Sequence, residues 1–152
     1  MREEAVAEML RILVATDGSP HALGAAKLTA RFVRELREAD VVLVNVGHIP
    51  NIALGSAGVG IVNLGALEEA LQQAGRTVLE KTAEALAGVD ARVRRIYRQG
   101  DPAGEIINAA QEHNADLIIM GSRGLGQVGG LILGSVSERV LHGAHGPVLI
   151  VR

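Results

Sequence analysis

The sequence predicts an open, doubly wound α/β fold with a parallel sheet. Three observations carry this: short apolar runs alternate with longer helical patterns, most of those runs read as strands buried on both faces, and five strands are too few for a closed eight-stranded barrel. The inferred order is β-α-β-α-β-α-β-α-β, with crossovers that keep the strands parallel and cover both faces.

The first strand is Arg11-Ile12-Leu13-Val14-Ala15. In the helix after it, Ala25, Leu28, Phe32 and Leu36 recur at spacings of three and four and form one apolar stripe. The second strand runs through Val41-Val42-Leu43-Val44-Asn45-Val46, and the second helix from about Gly65 to Leu86, with Leu67, Leu71, Val78, Thr82 and Leu86 along its face. Ala91 to Tyr97 alternates apolar and basic residues, which suits a half-exposed strand near a sheet edge, with Arg92, Arg94 and Arg95 as a solvated face. Asp101-Pro102 supplies an N-cap and a proline at the first helical position for the third helix, whose expected core residues are Ile106, Ile107 and Ala110. Asp116 to Met120 is the fourth strand. The last helix begins near Ser135, a plausible N-cap, and carries Val136, Val140 and Leu141; Pro147 to Val151 completes the sheet.

Composition narrows the function. The chain has 152 residues with a net charge of −2, and its Lys and Arg residues are scattered, so no nucleic-acid footprint is expected. Phe32 and Tyr97 are the only aromatics, which disfavours stacking platforms and flavin sandwiches. The lack of Cys removes disulfides, thiolate metal sites and thiol catalysis. Met1-Arg2-Glu3-Glu4 is acidic with no apolar run behind it, and no stretch reaches spanning length; no secretory signal or membrane span is expected, and the default location is the cytoplasm. One domain over 1–152 is expected, with 1–9 as an N-terminal extension of unassigned role.

Two stretches exceed simple connectors. Val41 to Leu67 holds no charged residue, and Gly47 to Asn63 reads as a long loop, which in a compact domain is usually functional. From Gly121 to Gly134, six of fourteen residues are glycine. Open α/β sheets bind ligands at the carboxyl ends of their strands, and both stretches follow strands. Glycine amides leading into a helix N-terminus favour an anion, so phosphate is the natural ligand.

Gly124-Leu125-Gly126-Gln127-Val128-Gly129 spells a dinucleotide fingerprint, but it lacks both the βαβ unit that should follow and an acidic residue about twenty positions on. Gly134-Ser135 resembles the end of a Walker A loop without its lysine. A receiver domain would need an acidic pair after the first strand, and Asp17 stands without an acidic neighbour. His142-Gly143-Ala144-His145 has no further ligand cluster and reads as a helix end rather than a metal pair; His113 suits a helix C-terminus, and His48 lies close to the proposed pocket.

The spacing Gly121-x2-Gly124-x9-Gly134-Ser135, with Ile12-Leu13-Val14-Ala15-Thr16-Asp17-Gly18-Ser19 near the N-terminus, resembles the ATP-binding branch of the universal stress protein family. The resemblance covers nearly the whole chain beyond its first nine or ten residues. It implies a flavodoxin-like five-stranded parallel sheet of order 3-2-1-4-5, with ATP at the ends of strands one and four. Carried onto matching positions, Asp17 would accept from the ribose hydroxyls and help place Mg²⁺. Ala15 and Thr16 would line the adenine through backbone atoms, with Val46, Met120 and Gly121 beside it. Gly124, Gly134, Ser135 and Val136 would wrap the phosphates, while Arg123 and Gln127 lie inside the loop, where Arg123 is placed to neutralise charge. The family also implies a homodimer through the Val148–Val151 edge strand, which would cover an aggregation-prone edge.

The chemistry agrees: a carboxylate suits a sugar diol and glycine amides suit phosphates. Little is present to cleave ATP, since no general base is identifiable and the two lysines, Lys27 and Lys81, fall in helices. Taken alone, Asp17 reads more simply as a turn residue or an N-cap of the first helix, and the distal glycine pattern reverses that preference; Ser19 is a cap rather than a nucleophile. The leading expectation is an ATP-binding regulatory module of the stress response that couples nucleotide occupancy to dimer or loop conformation. The competitors are a slow ATPase or phosphotransfer protein using the same pocket, and a module for an unknown protein partner with a vestigial pocket.

Overall fold

A computed structural model describes residues 9–36, 38–49, 63–125 and 133–152. Five strands, β1 (Leu10–Ala15), β2 (Ala39–Gly47), β3 (Arg92–Gln99), β4 (Leu117–Gly121) and β5 (Val148–Val151), alternate with α1 (Pro20–Glu35), α2 (Leu64–Glu84), α3 (Pro102–Glu112) and α4 (Ser135–Gly143). The sheet order is β3-β2-β1-β4-β5 and the adjacent pairs are parallel, as the resemblance implies.

The pleat divides the core in two. Ile12, Val14, Val41, Leu43 and Ile119 face Ala25, Ala26, Ala30 and Val33 of α1 with Leu79 and Leu86 from α2 and the turn after it. Leu13, Ala15, Val42, Val44, Ile118 and Met120 face Ala103, Ile106 and Ala109 of α3 and Val140 of α4. Ile12, Leu13 and Val14 lose all contact with solvent, each contributing about 1.5–3 kcal/mol of burial.

Helix starts follow capping chemistry. Ser19 caps α1 by accepting from the Ala22 amide (3.2 Å) with Pro20 behind it, Asn63 caps α2 through Ala66, and Asp101 caps α3 through Gly104 (2.9 Å) before Pro102. Three expectations need correction. The stripe of α1 is rotated: Phe32 is 39% exposed, and the buried positions are Ala22, Ala25, Ala26, Thr29, Ala30 and Val33. In α3, Ala103 and Ala109 are buried while Ile107 and Ala110 are only half-buried. In α4, Gly134 occupies the N-cap without a side-chain hydrogen bond, Ser135 is already helical and Leu141 is exposed. Small residues win in α1 and α3 because they let the helix backbone approach the sheet. β3 lies at an edge as expected. Among the described residues no helix is long and apolar enough to cross a membrane.

Candidate functional site

The carboxyl ends of β1 and β4 adjoin where the chain order reverses, the place where open α/β sheets form a crevice. Ala15 is registered between Val44 and Met120, and all three side chains share the face covered by α3 and α4. Val46, two residues beyond Val44, extends this apolar shelf while half-buried.

Beyond the shelf, Thr16 is held at every polar atom. Its amide donates to the Val44 carbonyl (2.9 Å), and its carbonyl accepts from Asn45 Nδ2 (2.8 Å). Its hydroxyl accepts from the Gly18 amide (3.2 Å) and lies 2.9 Å from Thr82 Oγ1. Thr82 spends its own proton on the Val78 carbonyl (2.8 Å), so Thr16 donates to Thr82. Gly18 then turns the chain at φ +80°, a conformation that suits glycine.

That turn presents Asp17 to the segment leaving β4. Asp17 Oδ1 accepts from the Ser19 amide (3.0 Å), which is the turn role the sequence allowed. Oδ2 accepts from the Leu125 amide (3.0 Å), which ties the turn to the glycine loop across 108 residues. A methyl group on Gly124 would lie 2.5 Å from Oδ2, so any side chain there would have to displace the carboxylate. Ser19 Oγ donates to the Arg123 carbonyl (3.2 Å), and His21 Nδ1 lies 2.8 Å from Ser122 Oγ. Gly121 sits against the first turn of α1, where a Cβ would come within 2.7 Å of the Ala22 amide nitrogen.

The far end of the loop returns to the same place. The Gly134 amide donates to the Ser122 carbonyl (2.7 Å), and the buried Ser137 hydroxyl donates to the Gly121 carbonyl (2.8 Å). The first amides of α4, from Ser135 onward, have no intrahelical acceptor. Ser135 is exposed at this end, and Val136 packs on the second core cluster. The structure therefore brings together Ala15, Thr16, Asp17, Met120, Gly121, Arg123, Gly124, Gly134, Ser135 and Val136, with Val46 on the adjoining strand. Gln127, most of the Gly47–Asn63 loop and the first eight residues lie outside the described residues.

At the rim, the exposed Asp101 carboxylate pairs with both terminal nitrogens of Arg139 (2.7 Å each). Those hydrogen bonds, then the Gly104 amide, hold its pKa below the usual carboxylate value. His48 Nδ1 lies 3.1 Å from the Gly100 carbonyl, and His142 Nδ1 2.9 Å from the Glu138 carbonyl. No cluster of three His, Asp or Glu side chains able to hold a metal occurs among the described residues.

Asn45, Thr82, His21, Ser122 and Ser137 also build this junction, and the sequence motifs do not single them out. A polar residue inside the run Val41-Val42-Leu43-Val44-Asn45-Val46 is a legible signal, because a buried amide needs partners. The other four give no local sign.

The fold and this junction define a doubly wound α/β protein with a candidate site at the switch point between β1 and β4, where an acidic turn meets the ends of a glycine-rich segment. The chain belongs to the universal stress protein family, whose model matches residues 9–152. A universal stress protein of Thermus aquaticus is 40% identical over 143 residues, covering 93% of this chain and 97% of that protein. One from Bacillus subtilis is 33% identical over 147 residues, covering 93% and 98%. The solved structure of a Methanocaldococcus jannaschii universal stress protein, 30% identical, superposes with a TM-score of 0.81 and covers 93% of this chain and 94% of that one.

Proposed function

We propose that this chain is an ATP-binding regulatory module, taking the nucleotide with Mg²⁺ and coupling its occupancy to loop conformation and homodimerisation. The observation that carries the reading is the meeting of Asp17 with Gly124 and Leu125 at the strand ends, beside an apolar shelf and the free amides of α4. Each oxygen of the Asp17 carboxylate accepts one protein amide, and a carboxylate offers about four acceptor positions in all. Two acceptor positions, one on each oxygen, thus suit the two hydroxyls of a ribose. The shelf of Ala15, Val46 and Met120 suits an adenine face, and the loop and helix amides suit phosphates.

Mg²⁺ would be held mainly by the ATP phosphates and water, since that ion keeps several waters and the acceptor positions of Asp17 are taken by two amides and the ribose. It would serve to neutralise phosphate charge. Proteins of the same fold have been solved as a universal stress protein in complex with cAMP, one from Archaeoglobus fulgidus in complex with dAMP, and one from Arabidopsis thaliana with AMP bound. At 22, 21 and 19% identity they support the reading through the fold alone. Regulation is favoured over turnover because both lysines sit on exposed helical positions, and the site's carboxylate is engaged in holding the loop.

The deciding experiment is calorimetric titration of nucleotide-stripped protein with Mg-ATP, alongside Gly124→Val. Saturable binding near one ATP per chain, lost in the variant, is expected. No binding by the folded protein overturns the assignment and leaves the glycine loop as a structural or partner-binding feature.

A further inference from the structure

Three side chains of one turn grip three residues of the segment leaving β4, in antiparallel order. Asp17 holds the Leu125 amide, Ser19 the Arg123 carbonyl, and His21 the Ser122 hydroxyl. Ser122 is buried and binds on every side: its amide donates to the Val151 carbonyl of β5 (2.7 Å), and its carbonyl accepts from Gly134. Both ends of the glycine loop thus converge on one residue, and His21 is the side chain that fixes that residue to α1.

We propose that His21 and Ser19 are positioning residues for the glycine loop. Together with Asp17 they fix both described ends of that loop, at Ser122–Leu125 and at Gly134, before any ligand arrives. A ligand that finds its donors in place avoids the entropy cost of ordering them, which is how preorganisation raises affinity. The effect on affinity rests on the nucleotide reading above; the effect on the empty loop does not. The contribution of His21 acts on the phosphates and leaves the adenine shelf alone, because Ala15, Val46 and Met120 face the opposite side of the sheet from α1.

The test uses the full-length protein with His21→Ala, Ser122→Ala, the double variant, and His21→Asn, whose amide replaces the Nδ1 contact. In ligand-free protein, amide hydrogen exchange at Leu125 and Gly134 is expected to quicken about tenfold in either single variant, the loss of one hydrogen bond at a shared junction. The double variant should be no worse than either, since both changes delete the same contact. His21→Asn should restore protection. Calorimetry should show affinity for Mg-ATP falling about fivefold to tenfold more than affinity for adenosine. Unchanged exchange in His21→Ala overturns the clamp, and so does an equal loss for ATP and adenosine, which would mark a general structural role. If wild-type protein binds neither ligand, the nucleotide reading falls, while the exchange measurement on the empty loop still decides the clamp.

Discussion

The phenol of Tyr97 occupies a slot made by two glycines. A Cβ on Gly47 of β2 would overlap its hydroxyl, and one on Gly75 of α2 would overlap its ring and come within 2.6 Å of Asn45 Oδ1. Because Asn45 also holds the Thr16 carbonyl, this slot lies one contact from the turn that carries Asp17. Gly75→Ala must therefore push apart the ring and the amide, and is expected to lower stability by about 1–3 kcal/mol, measured by denaturant unfolding. The Tyr97 hydroxyl is buried without a hydrogen-bond partner among the described residues. Tyr97→Phe relieves that desolvation and should be neutral or stabilising by up to about 1 kcal/mol. Burial, reinforced by Glu68, raises the Tyr97 pKa above its ordinary 10.0. The unfolded chain thus ionises first on going alkaline. The contribution of the neutral phenol is complete below pH 10 and disappears as pH rises through the higher folded value. Unfolding curves between pH 9 and 11 should show a loss of stability in the wild type that is smaller in Tyr97→Phe.

Among the elements, α1 separates what periodicity reveals from what packing decides. Spacing located the helix, yet the stripe chosen by size, through Leu28 and Phe32, is not the buried one. The contact with β1 and β4 is made by alanines and Val33, residues whose modest hydrophobicity gives a weak signal but whose small size permits close approach. Phe32→Ala should accordingly cost less than about 1 kcal/mol, whereas Val33→Ala should cost about 2, a reversal of the ranking by size that thermal unfolding can check. The strands were legible because runs such as Ile12-Leu13-Val14 are buried on both faces. Asp17 and the glycine loop were legible through spacing. The supports beneath them were not, since Asn45 meets Thr16 across 29 residues, Thr82 meets it across 66, and His21 meets Ser122 across 101. Only the folded sheet brings such pairs together. The start of α3 offers a further separation of effects. Asp101→Asn keeps a capping oxygen but loses the ionic pair with Arg139, and should cost under about 1 kcal/mol, as exposed pairs do. Asp101→Ala also loses the cap and should cost about 1–2 kcal/mol. Since the carboxyl pKa is lowered, the contribution of the pair is present above the unfolded value near 3.8 and is lost as pH falls through the folded one.

For the whole molecule, the two sheet edges differ in a way that bears on assembly. The β3 edge carries Arg92, Arg94, Arg95 and Arg98, with Arg94 paired to Asp40 and Arg98 to Glu112, and charge of this kind discourages strand-to-strand pairing. The β5 edge, Val148-Leu149-Ile150-Val151, is apolar and half-buried throughout. The register determines which of its backbone groups are free. The Pro147 and Val151 carbonyls accept from the Ile118 and Ser122 amides of the β4 side, so by alternation Leu149 also points its backbone toward β4. Val148 and Ile150 then direct their amides and carbonyls outward, away from β4. A homodimer formed by pairing these strands would satisfy those groups and cover the edge. Ile150→Pro removes an outward amide without touching the ladder to β4, a position that tolerates proline in edge strands. By sedimentation the wild type is expected to run as a dimer and this variant as a folded monomer. Leu149→Pro, one residue away, removes an inward amide and should destabilise the fold itself. A folded Ile150→Pro variant that remains dimeric would place the interface elsewhere. The same variant also bears on the site, because the Val151 carbonyl is bound by Ser122 at the mouth of the glycine loop: edge pairing and loop geometry meet within two residues.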